Sequence, residues 1–191
     1  RLLPSILVSK VKSSGVPKQR LAVLGNRIPK AETVKNLASN ADMQSIYILL
    51  AHVAKTKGLR LRIADAISAH LQSRYRAPKN SESLRNPIAM LPKEFASILG
   101  HRHVRLVKAM NGLRYSGFSW EQHRDEELEE LKFKHCTRDT AVLRREDTWL
   151  VTFVDDLLTV ADIRVVDQVF EEIGGRITVF WRSQKQSRNK A

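Results

Sequence analysis

Over residues 59–64 apolar positions alternate with basic ones, Leu59, Leu61 and Ile63 being separated by Arg60 and Arg62. A period of two puts the apolar side chains on one face of a half-buried strand. Just upstream, residues 41–57 carry Ile46, Leu49, Leu50 and Val53 at helical spacing, and Gly58 stops them. Residues 8–12 and 20–25 read as two strands joined by the turn Ser13-Ser14-Gly15-Val16-Pro17. Polar, loop-like stretches follow at 29–40 and 76–87, a short helix after Asp65 and a short strand at 104–107. Residues 120–134 predict a charged helix with Trp120, Leu128 and Leu131 turned inward and Glu130 paired with Lys134 at i,i+4. Strands at 141–145 and 149–154 flank the turn Glu146-Asp147, and residues 157–160 pair back after Asp155-Asp156. A last helix spans 163–173 and closes on Gly174-Gly175. Strands and helices intermix without a regular βαβ beat, which predicts an α+β fold.

Composition adds a partner class. The 191 residues are 42% hydrophobic and 28% charged, the balance of an ordinary globular chain. Lys and Arg total 33 against 20 acids, a net +13, which favours a polyanion such as nucleic acid or an anionic membrane surface. The second is the weaker fit, because residues 41–57 carry too little positive charge for an amphipathic membrane helix. No stretch is apolar for long enough to span a bilayer. Cys136 is the single cysteine, so no intrachain disulfide forms and a reducing, intracellular setting fits. A first residue other than Met and a basic end at 182–191 suggest a piece of something longer.

The sharpest conflict in the pattern lies at Asp155-Asp156, two acids between the β-prone runs 150–154 and 157–160. Adjacent strand residues point to opposite faces, so a flat strand would bury one carboxylate, whereas a tight hairpin places both at its turn. Alone, the pair fits an exposed Asp-Asp turn better than a metal site. Asp65 changes the balance, because it ends the strand-like run 59–64, which would lie beside the hairpin in a sheet. Three carboxylates from two strands are able to bind two divalent ions about 3.5–4 Å apart. Elsewhere, His101, His103, His123, His135 and Cys136 lack zinc-site spacing, and the acidic run 125–130 reads as a solvated helix face.

Around these acids the chain resembles the copia-type LTR retrotransposon reverse transcriptases. Phe153-Val154-Asp155-Asp156-Leu157-Leu158 is similar to the family's aromatic-x-Asp-Asp box, and Asp65-Ala66-Ile67-Ser68-Ala69-His70-Leu71 to its Asp-Val-x-x-Ala-Phe-Leu motif. The run 106–120, from Leu106-Val107-Lys108-Ala109 through Gly112-Leu113-Arg114 to Trp120, resembles Leu-x-Lys-Ala-Leu-Tyr-Gly-Leu-Lys-Gln-Ser-Pro-Arg-x-Trp. Segments 8–22 and 88–95 look like the family's basic fingers strands and its Tyr-Met-x-Pro-Pro-x-x-Phe segment, so the likeness covers nearly the whole chain in order.

The resemblance implies a single domain fragment with reverse-transcriptase-like fingers and palm, an antiparallel sheet packed on helices with a catalytic β-hairpin, about 1–58 mainly fingers and 59–191 mainly palm with inserted fingers segments. Thumb and ribonuclease H would lie outside the chain. It implies RNA-directed DNA polymerisation, with Asp65, Asp155 and Asp156 holding two Mg²⁺ (or Mn²⁺). Lys18, Arg20, His70 and Tyr115 would meet the dNTP, and Lys10, Lys12, Arg114 and Phe153 the template–primer duplex. The rest of a Pol polyprotein would be a partner, a membrane would not, and the setting would be a cytoplasmic virus-like particle or the nucleus.

Departures from the family fall near the acids. His70 stands for an aromatic residue that screens the sugar, Tyr115 for a Gln that holds nucleotide and template, Gly117-Phe118 for Pro-Arg, and Phe153 for Tyr. The alternative is an inactive retroelement remnant that only binds nucleic acid.

Overall fold

The computed structural model describes residues 2–27, 39–76 and 85–181. Most of the loops expected at 29–40 and 76–87, and the basic end at 182–191, lie outside these residues. The chain divides into two units, each built from two stretches: 1–38 with 70–123, and 39–69 with 124–191. Residues 39–58 group with the second unit and residues 70–123 with the first. The fold is mixed, with largely antiparallel sheets and packed helices.

In the first unit, β1 (Leu2–Val11) and β2 (Pro17–Val23) form an antiparallel hairpin in which Val11 faces Pro17. Its root joins β4 (Ile88–Met90) and β5 (His103–Arg105) in a four-stranded sheet ordered β2-β1-β4-β5, with β1 and β4 parallel. Leu3, Val23, Ala89, Leu113 and Tyr115 make its core. Gly25 and Gly112 let two backbones touch there. A Cβ on Gly112 would fall 2.0 Å from the Val23 carbonyl oxygen, and one on Gly25 would fall 2.1 Å from that of Gly112. Gly112 also has φ +86°, which a side chain would strain. Two short helices belong here, α2 (Ala69–Gln72), whose first residue is in the second unit, and α3 (Lys93–Leu99), closed by Gly100 in the left-handed region.

The second unit holds a six-stranded sheet ordered β10-β3-β9-β8-β7-β6. Its strands are β3 (Leu59–Ala66), β6 (Lys134–His135), β7 (Val142–Arg145), β8 (Thr148–Phe153), β9 (Asp156–Asp162) and β10 (Val179–Trp181), each antiparallel to its neighbours. One face carries the row Ile63, Leu158, Val151 and Val142, read across four strands. Helix α1 (Met43–Lys55) covers that row, Ile46 and Leu49 packing with Val142, Val151 and Leu158. Helix α5 (Val166–Arg176) covers the opposite face with Val166, Val169, Phe170 and Ile173. Arg62 and Arg145, which point to that face by register, hold it through Asp167 at 3.0 Å and Glu172 at 2.7 Å.

Two helix ends differ from the sequence expectation. Helix α4 (Ser116–Glu130) stops before Lys134, which belongs to β6, so the expected Glu130–Lys134 helical pair does not form. The stop is a Schellman closure, in which Phe133 N–H donates to Leu128 O and Lys132 N–H to Glu129 O, with Lys132 at φ +69°. Phe133 and Leu128 are both buried at this closure. Conversely α5 runs through Gly174-Gly175 to Arg176 instead of closing on them. Ile177, fully buried, caps the helix one residue later by donating its N–H to Ile173 O.

Candidate functional site

Strand register brings two acids side by side. Asp65, near the end of β3, is the cross-strand partner of Asp156, the first residue of β9, and Asp156 is in turn the partner of Phe153 on β8. Directly opposed residues of antiparallel strands project to the same face, with Cβ atoms about 4.5–5.5 Å apart. Both carboxylates are half-buried.

The hairpin turn is Val154-Asp155 alone, so Asp156 belongs to a strand and only Asp155 to the turn. Both acids were expected at the turn; the loop is too short to hold them. Closing two antiparallel strands with two residues demands a primed turn, in which at least one residue takes positive φ. That residue is Val154, at φ +52°. A β-branched side chain is poorly suited to this region, at a cost on the order of 1–3 kcal/mol. The turn is held from the side as well, because Ala66 N–H donates to the Asp155 carbonyl at 2.7 Å. Beyond it, Ile67 N–H donates to Thr178 O at 2.9 Å, tying the end of β3 to β10.

Three acids thus lie at one end of the sheet, Asp65 and Asp156 on the face that α1 roofs further along and Asp155 in the adjoining turn. Their oxygens are the hard donors that Mg²⁺ takes. Among the described residues, though, no group of three or more His, Cys, Asp and Glu side chains converges to hold a metal ion. Backbone register assembles the acids; the side chains do not close into a cluster.

The other sequence-selected residues divide by unit. Phe153 shares the second unit with the acids and is 45% exposed. In the first unit, Val8 faces Arg20 and Lys10 faces Lys18 across the β1–β2 hairpin. Lys10, Lys12, Lys18 and Arg20 therefore share one face, where they line a groove of about 690 Å³ with Ser13 and Ser14. Four cations side by side in one groove suit contact with phosphate oxygens. Arg114 is half-buried. His70, in α2, is half-buried, its carbonyl accepting from Ser73 Oγ at 2.9 Å and its Nδ1 lacking a partner among the described residues. Tyr115 is 1% exposed within the core of its unit.

Sequence reasoning missed Phe180. It is the cross-strand partner of Asp65 on β10, on the side away from Asp156, and is 62% exposed. The expected helix 163–173 and its glycine stop left nothing to pair with β3 on that edge. An alternating Ile177, Val179 against Thr178, Phe180 was the available signal.

No protein-family profile matches this chain, and neither does any curated protein. Eighteen chains of solved structures match. One of them is telomerase from Candida albicans in complex with a TWJ fragment of telomeric RNA, at 11% identity and a TM-score of 0.49. The match covers 99% of this chain and 42% of that one, so this chain spans less than half the length of the matched structure. No helix among the described residues is long and apolar enough to cross a membrane.

Proposed function

We propose that the chain is a reverse-transcriptase segment of copia type, fingers and palm, that extends a primer on a nucleic-acid template. The observation that carries this reading is the pairing of Asp65 with Asp156 beside a strained turn that presents Asp155. Asp65, Asp155 and Asp156 would hold Mg²⁺ (or Mn²⁺), which when bound supplies charge neutralisation at the primer 3′-hydroxyl and the triphosphate. The protein's own work is then positioning and electrostatics, with no covalent intermediate. Lys18 and Arg20 would meet the dNTP triphosphate, Arg20 through its planar fork. Lys10, Lys12 and Arg114 would follow phosphates of the template–primer duplex, and His70 would fill space beneath the sugar. The remainder of a Pol polyprotein would be its partner, in a virus-like particle or the nucleus.

The second reading is an inactive remnant that retains only nucleic-acid binding. It is favoured by the open arrangement of the acids and by the burial of Tyr115 where the family carries Gln. A primed RNA or DNA template with dNTPs and Mg²⁺ or Mn²⁺ separates the two. The polymerase reading expects extension that Asp155→Asn or Asp65→Asn lowers by on the order of 10²–10³-fold while duplex binding persists. Wild-type chain that binds the duplex and never extends it would overturn that reading and leave the remnant.

A further inference from the structure

Row by row, the acid-bearing end of the six-stranded sheet reads Phe180, Asp65, Asp156, Phe153 across β10, β3, β9 and β8. All four side chains belong to one face by register. The two outer rings are 62% and 45% exposed, whereas the next row inward is apolar and roofed by α1. Two carboxylates are thus framed by two solvent-facing aromatics, some 14 Å apart at three strand spacings.

We infer that Phe180 is a stacking platform for the terminal base of a nucleic-acid strand whose end lies over the Asp65–Asp156 pair. The inference rests on the nucleic-acid reading above and assigns a contact to a residue outside the motifs that suggested it. Its chemistry follows from what the row offers and lacks. The row contains no cation, so it does not receive phosphates directly; that is left to basic surfaces elsewhere in a chain of net charge +13. A ring accepts the face of a base or sugar, and a carboxylate accepts a hydrogen bond from a sugar hydroxyl. A strand end supplies both, with a terminal hydroxyl and an adjoining base. Stacking on an exposed ring is tolerant of base identity, as a contact that must serve every sequence requires. Phe180 is also exposed enough that its removal spares the fold, unlike a core aromatic.

The test uses the full chain and a primer–template duplex carrying 2-aminopurine at the primer 3′ end. Wild-type protein is expected to quench that base on binding. Phe180→Ala is expected to lose the quench and to bind roughly tenfold more weakly, the order of one base–aromatic stack, while Phe180→Trp restores both. A primer ending in an abasic residue should bind the wild type and Phe180→Ala equally. Unchanged quench and affinity in Phe180→Ala would overturn the inference, whether or not the chain extends primers. A wild type that quenches the terminal base but never extends it supports the stacking contact and defeats only the polymerase reading.

Discussion

Val154 shows how much can turn on one backbone angle. It holds φ +52° in a two-residue loop that leaves Asp155 at the turn and Asp156 on the strand beside Asp65. Glycine takes that conformation without steric penalty, so Val154→Gly is expected to raise stability by about 1 kcal/mol, read as a higher midpoint in thermal or urea unfolding. A lower midpoint would mean that the valine side chain contributes more by packing than its backbone costs. A residue string shows that two acids interrupt two β-prone runs, and hence that a hairpin resolves the conflict. It does not show where the loop begins, because moving the turn by one residue keeps the same composition and reassigns each acid. Tyr115 was ambiguous for a related reason: its type suits both a nucleotide contact and a core, and its place beside Leu3, Val23 and Ala89 is packing that a residue string does not show.

Elements were legible where periodicity ran unbroken. The alternation of residues 59–64 and the helical spacing of 41–57 lead directly to β3 and α1. Their ends were less so, since helix closure depends on contacts between residues that sequence does not rank. Lys132 takes the left-handed position usually given to glycine at a closure where Phe133 and Leu128 are both buried, while true glycines at 174 and 175 are passed through. Long-range anchoring also fixes α1. Asp139 accepts from the backbone N–H of Asp42 at 2.9 Å and of Ala141 at 3.0 Å, joining the helix start to the entry of β7. Burial alone would raise its carboxyl pKa, but the Ser45 hydroxyl and these two N–H groups outweigh that and hold it below the usual value. Glu172 is likewise held down, chiefly by Arg145. Carboxyls depressed on folding stabilise fully above the ordinary values of 3.8 and 4.5 and lose that contribution as pH falls through their lower folded values. Asp139→Asn is therefore expected to cost about 1 kcal/mol near neutral pH and progressively less below pH of about 4, measured by urea unfolding across pH. Gly112→Ala should be harsher, on the order of 3 kcal/mol or a failure to fold, because its Cβ would meet a backbone oxygen that has nowhere to move.

At the scale of the whole molecule, charge and connectivity matter most. If the one-sided cations of the β1–β2 hairpin meet a duplex as proposed, replacing Lys10, Lys12, Lys18 and Arg20 together by Gln should flatten the plot of log affinity against log salt by about 2–4. An unchanged slope would place the phosphate contacts elsewhere. The net charge is readable from composition, but its concentration on one side of a ribbon follows from register alone. Connectivity has its own consequence. Since each unit takes one stretch from each half of the sequence, the backbone passes between them at 38/39, 69/70 and 123/124. Neither unit is therefore a cassette that can be excised by choosing two termini. A chain cut between residues 69 and 70 would leave both halves with an incomplete share of both units. Each half should stay unfolded in isolation and regain helix and sheet only when the two are mixed, a concentration-dependent reassembly that circular dichroism would follow.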